Sequence, residues 1–130
     1  MLRPLKVLVV DDDPAYLVVV TAWLERAGCQ VITRSSPFGT SVVILKEQPD
    51  VVILDVEMPA LSGEVLADLI NRKTNKNELR VIFCSGKSPQ LLSALAKLHN
   101  ALGYIEKTDS AVQFMNQFYA ITAPLRDKRM

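Results

Sequence analysis

The sequence has no apolar run long enough to form a transmembrane helix. Its longer apolar stretches include Val7–Val10 and Val51–Leu54, whereas a membrane-spanning helix needs about 20 residues. The first residues, MLRPLKVLVVDDD, lead directly into carboxylates and lack the small-residue site at which a signal peptide is cleaved. We therefore expect no association with a membrane and a cytoplasmic location.

The sequence also has little net charge and few cysteines. Its 15 basic and 14 acidic side chains leave a net charge of +1, so no overall field attracts the protein to nucleic acid. We accordingly expect no direct binding of nucleic acid. The two cysteines, Cys29 and Cys84, lack the spacing of metal ligands, and two reduced, mostly buried thiols are the simpler interpretation.

Short apolar runs alternate with helical patterns along the chain. With 130 residues, 49% of them hydrophobic, the chain has the size of a single compact domain. We expect its core over about residues 6–122, with 123–130 as a tail or the start of a linker. Several runs are apolar at consecutive positions, as in parallel strands covered on both faces. The predicted strands are Lys6–Val10, Gln30–Thr33, Val51–Leu54, Arg80–Cys84 and Ala101–Ile105.

The helix candidates between these strands have recognisable start signals. Three of the capping side chains precede a proline, which suits the first helical position. Gly28 is a candidate end for the first helix. Repeated strand–helix units with right-handed crossovers predict an α/β fold, a doubly wound parallel sheet with helices on both faces. The candidate caps are Asp13, Ser36, Ser62, Ser88 and Asp109.

Polar side chains follow most of the predicted strands. In open parallel sheets, ligands bind beyond the carboxyl ends of the strands, near the point where the strand order reverses. In the order 2-1-3-4-5, the first and third strands are neighbours at about 4.8 Å, so the carboxylates that follow them crowd together. The side chains at this edge are Asp11, Asp12 and Asp13 after the first strand, Asp55 after the third, Ser85 after the fourth, and Glu106 and Lys107 after the fifth.

The crowding of carboxylates at one edge predicts a bound cation. Two carboxylates about 4 Å apart repel each other by about 4 kcal/mol at an effective dielectric constant near 20. Three of them, Asp11, Asp12 and Asp55, require a compensating cation unless one is protonated. Lys107 supplies one positive charge. A divalent ion with oxygen ligands, Mg²⁺ (or Mn²⁺), would supply the rest.

Four segments of the sequence together resemble those of a known family. They are LKVLVVDDDP, VVILDVEMPALSG, VIFCSGK and GYIEK, in this order and spacing, and they are similar to the signature segments of bacterial response-regulator receiver domains, including the single-domain chemotaxis regulators. The resemblance covers roughly residues 6–119. It implies a flavodoxin-like (βα)5 sandwich with a five-stranded parallel sheet in the order 2-1-3-4-5. It also implies a regulatory domain of two-component phosphorelay signalling that catalyses its own phosphorylation and dephosphorylation, not an enzyme.

The resemblance assigns the phosphoacceptor and the metal ligands. Asp55 would take the phosphoryl group, and Mg²⁺ would lie among Asp11, Asp12, Asp55 and the backbone carbonyl of Glu57. The implied donor is the phosphohistidine of a sensor histidine kinase or of a phosphotransfer protein. An ionised, well-aimed Asp55 carboxylate fits this chemistry because it must attack phosphorus in line.

The resemblance also assigns residues to the response. Ser85 and Lys107 would contact the phosphoryl group, and Ser85 and Tyr104 would form the switch. Glu57 and Lys87 would modulate the access of water at the mouth of the site, either as an ion pair or as separately solvated side chains. The fourth helix, fifth strand and fifth helix would then bind a downstream protein or an attached output domain. A homodimer through the same face is left open.

At one position the sequence departs from the family pattern. Thr108 follows Lys107, where the family usually has a proline after a cis bond. A cis bond without proline costs about 3 kcal/mol. We therefore expect a trans Lys107–Thr108 bond and a rearranged loop after the fifth strand.

Two other functions compete with this interpretation. A small phosphatase or phosphotransferase would use Asp11 as its nucleophile and Asp13 as a second acid, but it would leave Asp55 unexplained. A degenerate receiver that binds partners without phosphorylation is kept open by Thr108, although all the acceptor-site residues are present. A helix cap is the preferred interpretation of Asp13, and a place in the core is preferred for Trp23.

Overall fold

The computed structural model describes residues 4–73 and 80–128, in which strands and helices alternate. The strands are β1 (Lys6–Val10), β2 (Gln30–Arg34), β3 (Val51–Asp55), β4 (Arg80–Ser85) and β5 (Gly103–Glu106). The helices are α1 (Pro14–Arg26), α2 (Thr40–Glu47), α3 (Gly63–Lys73), α4 (Pro89–Leu98) and α5 (Ala111–Lys128).

The strands form one parallel sheet in the order β2-β1-β3-β4-β5. The central strand β3 is buried along its whole length, because helices cover both faces of the sheet. The predicted α/β fold and strand order are confirmed. One predicted start is corrected: β5 begins at Gly103 and not at Ala101, because the Ala101 N–H donates to the Ala96 carbonyl and completes the end of α4. The strands β2, β3, β4 and β5 each end one residue later than predicted.

Apolar side chains pack in two layers, one on each face of the sheet. Successive strand residues point to opposite faces, so Val9 lies in one cluster and Val10 in the other. Helices α1 and α5 cover the first layer, and α2, α3 and α4 cover the second. Trp23 packs against the first layer, with its ring centroid 5.4 Å from that of Phe114, as expected for a core residue.

Three of the predicted helix starts are confirmed. The side chains of Asp13, Ser62 and Ser88 each accept a hydrogen bond from a backbone N–H in the first turn of α1, α3 and α4 respectively. These bonds satisfy donors that have no partner within the helix. At the other end of α1, Gly28 has a φ of 91°, which glycine adopts without strain, and it follows the C-cap residue as predicted.

The predicted start of the second helix at Ser36 is wrong. The Ser36 hydroxyl accepts a hydrogen bond from the Phe38 N–H, and α2 begins only at Thr40 with Gly39 as its N-cap. The Thr40 hydroxyl donates to the Pro37 carbonyl. Pro37 therefore belongs to a turn before the helix, a geometry that the Ser-Pro pair allows as readily as a helix start.

The predicted cap of the last helix is displaced by one residue. The Ser110 hydroxyl accepts a hydrogen bond from the Gln113 N–H, and the Ser110 carbonyl accepts one from the Phe114 N–H. Ser110 thus caps α5 in place of Asp109, which is exposed. Both residue types are good caps, so the sequence pattern does not distinguish neighbouring positions.

Helix α5 continues to Lys128 and has Pro124 within it. It therefore includes most of the segment 123–130 that we expected to be a tail or a linker start, and the division of the chain into a core and a tail stays a prediction. Among the described residues, no helix combines the length and the apolar character that crossing a membrane requires.

Candidate functional site

Three carboxylates meet at the carboxyl edge of the sheet. One oxygen atom from each of Asp11, Asp12 and Asp55 lies within 4.8 Å of the others. Asp11 is 2% exposed and Asp55 is 3% exposed, whereas Asp12 faces solvent. The structure thus brings together the acids that the sequence places at neighbouring strand ends, and it buries two of them.

Backbone N–H groups hold the two buried carboxylates in place. Strands β1 and β3 are paired, so Asp11 and Asp55 leave the sheet side by side. The Asp11 Oδ1 atom accepts from the Asp13 N–H at 2.9 Å. The Asp55 Oδ1 atom accepts from the Glu57 N–H at 3.0 Å. Each carboxylate bonds to the chain two residues further on, the usual contact of an aspartate that turns a loop.

Gly63 allows the first turn of α3 to approach the end of β3. A Cβ atom at this position would lie 2.2 Å from the Asp55 carbonyl oxygen and 2.8 Å from the Asp55 carbonyl carbon. Real side chains do not tolerate such distances, so any larger residue would push α3 and Asp55 apart. The sequence interpretation did not single out Gly63, because a glycine just after a capping serine shows no sign of the contact that it makes.

Lys107 reaches the acids from the end of β5. Its Nζ atom lies 2.8 Å from Asp11 Oδ2 and 3.6 Å from Asp55 Oδ2. Its backbone N–H donates to the Ser85 carbonyl at 2.9 Å, which fixes the base of the side chain beside β4. The predicted reach of Lys107 across the sheet edge is therefore present, and its closer partner is Asp11.

The surroundings of the site disfavour the charged form of Asp55 and favour the charged form of Lys107. Burial raises the pKa of Asp55 above its ordinary range, and the charge of Asp11 raises it further, while the Glu57 N–H and Lys107 act in the opposite direction. Burial alone would lower the pKa of Lys107, but the hydrogen bond and charge of Asp11 outweigh it and leave that pKa raised. The ammonium therefore stays charged at neutral pH, and the carboxylate cluster remains short of positive charge.

Ser85 is fully buried and its hydroxyl is occupied. The hydroxyl donates to Glu57 Oε1 and accepts from the Lys87 N–H at 3.2 Å. In the described part of the chain, the Glu57 carboxylate makes no ion pair with Lys87. We expected Glu57 either to pair with Lys87 or to be separately solvated. Neither alternative includes the hydrogen bond that Glu57 accepts from Ser85. A side-chain contact between two loops has no signature in the sequence.

Two predicted residues lie on or beside β5. Tyr104 is partly buried and packs against the core layer under α2, α3 and α4.

No cis peptide bond occurs among the described residues, so the Lys107–Thr108 bond is trans as expected. The Thr108 hydroxyl donates to Gln113 Oε1 at 2.8 Å and accepts from the Ser110 N–H at 3.1 Å. Thr108 thus ties the loop after β5 to the first turn of α5.

The sequence interpretation missed Tyr16 and the role of Cys84 beside it. The Lys107 Nζ atom lies over the Tyr16 ring, 4.7 Å from its centroid. The Tyr16 hydroxyl is 3.5 Å from Cys84 Sγ. Burial raises the pKa of Tyr16, with a further contribution from Cys84, and burial raises the pKa of Cys84 to about 12. Both groups are therefore neutral. In the sequence, only their positions pointed to the site, because Tyr16 follows the acidic run and Cys84 precedes Ser85.

The chain is similar to known signalling proteins over most of its length. The family model for the response regulator receiver domain matches residues 7–118. PilH of Pseudomonas aeruginosa is 26% identical over 118 residues, which are 91% of this chain and 98% of PilH. BvgA of Bordetella pertussis is 30% identical over 120 residues, and the match covers 91% of this chain but 56% of BvgA.

A similar fold is found among solved structures. The chemotaxis protein CheY4 of Vibrio cholerae superimposes with a TM-score of 0.82 at 21% identity, over 91% of this chain and 98% of that one. At this level of identity, the likeness concerns the fold alone.

Proposed function

This chain belongs to the family of response regulator receiver domains, and from that premise we propose that it accepts a phosphoryl group on Asp55. In this proposal the donor is the phosphohistidine of a sensor histidine kinase or of a phosphotransfer protein. One observation carries it: the buried Asp55 carboxylate meets two further acids and the Lys107 ammonium at a single point of the sheet edge. As a regulatory domain, the protein catalyses only its own phosphorylation and dephosphorylation.

The donor set suits a hard divalent cation. The clustered side-chain atoms are all carboxylate oxygens, which Mg²⁺ and Mn²⁺ prefer over nitrogen or sulfur. Asp11, Asp12 and Asp55 would hold the ion, with the Glu57 backbone carbonyl as a further ligand. When bound, Mg²⁺ supplies positive charge to the phosphoryl oxygens as well as to the carboxylates.

The transfer requires an ionised and oriented Asp55. An Asp55 oxygen forms a bond to phosphorus while the bond between phosphorus and the donor imidazole nitrogen breaks, and the imidazole takes up a proton as it leaves. The Glu57 N–H holds one carboxylate oxygen and leaves the other to attack. Lys107, 3.6 Å from that second oxygen, can neutralise charge on the transferred group.

The new phosphoryl group then competes for the Ser85 hydroxyl. Ser85 has one hydroxyl hydrogen, which is directed at Glu57, and a dianionic phosphoryl oxygen is a stronger acceptor. When the hydrogen bond changes acceptor, the loop after β4 moves with it, and Tyr104 follows as the second element of the switch. Glu57 and Lys87 remain at the mouth of the site, where they affect hydrolysis of the acyl phosphate.

The response reaches partners through the face formed by α4, β5 and α5. Ser85 ends β4 and Tyr104 lies on β5, so both adjoin this face. A downstream protein or an attached output domain would bind the phosphorylated form more tightly, and a homodimer through the same face is a further arrangement. We place this signalling in the cytoplasm, without nucleic acid or membrane contact by this domain.

The comparisons support both a stand-alone and an attached receiver. The chain spans nearly all of PilH but about half of BvgA. We propose that residues 1–130 act as one receiver domain, and the output that it controls follows from the partner that its switched face binds.

A competing phosphatase mechanism is poorly supported by the position of Asp13. In that mechanism Asp13 would be a free acid beside an Asp11 nucleophile. The Asp13 carboxylate instead accepts hydrogen bonds from the Ala15 and Tyr16 N–H groups at the start of α1, and Asp11 Oδ2 is paired with Lys107. Neither acid is disposed for that chemistry.

Phosphorylation with a small donor tests the proposal. The protein is incubated with phosphoramidate and Mg²⁺, and its mass is followed with time. We expect one added phosphoryl group that is stable in acid and labile in base, and we expect none in Asp55→Asn. The matched control is Asp13→Asn, which keeps the helix cap and should be phosphorylated normally. Label that persists in Asp55→Asn, or that appears on Ser85, would refute the assignment.

A further inference from the structure

The Lys107 ammonium is held on three sides. It contacts Asp11 Oδ2 at 2.8 Å, Asp55 Oδ2 at 3.6 Å and the Tyr16 ring face at 4.7 Å from the centroid. The carboxylate contacts explain why the charge is stable there. They do not fix the direction of the side chain, because a lysine ammonium on a flexible four-carbon stem can satisfy carboxylates from many angles.

The Tyr16 ring is itself well anchored. Tyr16 lies in the first turn of α1, which the Asp13 carboxylate caps by accepting from the Tyr16 N–H. The ring is partly buried and packs against the core layer under α1 and α5. Its hydroxyl lies 3.5 Å from Cys84 Sγ, an atom of the buried strand β4. The capped backbone of α1 and the packing of the ring against the core layer therefore hold the ring face in one orientation, and the hydroxyl contact adds to them.

We propose that Tyr16 is a positioning residue of the phosphoryl-acceptor site, whose ring face holds the Lys107 ammonium between Asp11 and Asp55. This inference rests on the proposed function. An ammonium over an aromatic face is attracted by the negative charge of the π-system. With a quarter of its side chain still exposed, at 26%, Lys107 would otherwise have water as a competing environment. The ring restricts the ammonium to the side from which it can reach a group on Asp55.

Two substitutions separate the ring from the hydroxyl. Tyr16→Phe keeps the aromatic face and removes the contact with Cys84. Tyr16→Leu removes the aromatic face and keeps a shorter, apolar side chain. Tyr119→Leu, the same change on a tyrosine of α5 that is 41% exposed, serves as the matched control. Thermal unfolding of each variant establishes that the fold is kept.

The first measurement is the proton NMR spectrum of the Lys107 εCH₂ group in the 130-residue protein without donor or metal. A ring face this close shifts those protons upfield. We expect the shift in the wild type, Tyr16→Phe and Tyr119→Leu, and its loss in Tyr16→Leu. Unshifted εCH₂ protons in the wild type would overturn the proposal, whatever the outcome of phosphorylation, because this measurement needs no phosphoryl transfer.

The second measurement is the rate of phosphorylation by phosphoramidate with Mg²⁺. We expect Tyr16→Leu to slow the reaction about three- to tenfold, the range expected for loss of one cation–π contact, and Tyr16→Phe to react within about twofold of the wild type. In a Lys107→Met background, Tyr16→Leu should have no further effect. An equal effect of Tyr16→Leu with and without Lys107, or equal slowing by Phe and Leu, would contradict positioning by the ring. A wild type that takes no phosphoryl group would instead refute the proposed function.

Discussion

Two halves of the same sheet edge are held by different kinds of contact. The acidic half consists of Asp11, Asp12 and Asp55, and the donor half consists of Ser85 and Lys107. In the acidic half, backbone N–H groups bind the two buried carboxylates. In the donor half, the hydroxyl and the ammonium bind side-chain carboxylates, those of Glu57 and Asp11. The first kind of contact belongs to the turns themselves, whereas the second can change partner without disrupting a turn.

The difference indicates which contacts a phosphoryl group can replace. The acidic half has to present Asp55 in one position, and its backbone bonds do so before any ligand arrives. The donor half has to respond, and its hydrogen bonds already end on anions, so a new anion on Asp55 competes for donors that are already in place.

The largest expected effect comes from a larger side chain at Gly63, which lies against the Asp55 backbone of the acidic half. Gly63→Ala would place a Cβ atom 2.2 Å from the Asp55 carbonyl oxygen, so α3 must move away from β3. We expect a loss of about 2–4 kcal/mol in the free energy of unfolding, measured by urea denaturation. Gly86→Ala is the matched control, since its added methyl group meets no atom within 4 Å. Equal stability of the two variants would mean that the approach of α3 does not fix Asp55.

Removal of the charge of Asp55 should stabilise the fold. Burial raises the pKa of Asp55 above 3.8, so its ionised form lowers stability at neutral pH, and that loss disappears as the pH falls through the raised pKa. Without divalent ions, we expect Asp55→Asn to gain about 1–2 kcal/mol at pH 7. The gain should fade on acidification and vanish below about 3.8, the ordinary pKa. Asp13→Asn should show no comparable gain. A destabilised Asp55→Asn variant would contradict the conclusion that the ionised Asp55 carboxylate lowers stability.

The predictable and unpredictable parts of this site differ in physical origin. Asp11, Asp55 and Lys107 could be placed together from the sequence, because parallel strands direct their carboxyl ends to one edge and the apolar runs locate those ends. The contact of Glu57 with Ser85 and that of Tyr16 with Lys107 could not. They depend on rotamers of side chains from separate elements, and no periodicity in the sequence encodes a rotamer.

The helix boundaries also show where a sequence pattern fails to predict the structure. Asp13 and Ser88 were recognisable caps because each is followed by a proline that suits the first helical position. Ser36 has the same pattern but starts a turn, since the Thr40 hydroxyl binds the Pro37 carbonyl and delays α2. A local signal therefore locates a boundary only where no neighbouring side chain offers the backbone another partner.

A divalent ion bound to the acidic half should raise the free energy of unfolding, because the ion binds only the folded protein. At tenfold excess over its dissociation constant, Mg²⁺ should raise the free energy of unfolding by about 1.4 kcal/mol through mass action. Asp12→Asn, which changes an exposed side chain, should greatly reduce this increase, whereas the exposed Asp109→Asn should keep it. Thermal unfolding with and without Mg²⁺ measures the difference. An undiminished response in Asp12→Asn would remove that residue from the ion site.

The smallest expected effect concerns the donor half. Glu57→Ala removes the acceptor of the Ser85 hydroxyl, so the hydroxyl becomes available to an anion on Asp55. We expect beryllofluoride, an analogue of the phosphoryl group, to bind about threefold more tightly with Mg²⁺ present, as measured by calorimetry. In Ser85→Ala, the change at Glu57 should have no such effect. An equal gain in both backgrounds would attribute it to the charge of Glu57 alone.

Backbone amide exchange with and without beryllofluoride tests the contrast between the two halves most directly. We expect altered exchange from Ser85 through α4, β5 and the first turns of α5, where donor contacts change partner. We expect little change at the Asp13 and Glu57 amides beyond protection by the bound ligand, because these groups already bind the carboxylates. Changes confined to α1 and α2, with residues 85–119 unaffected, would contradict this expectation.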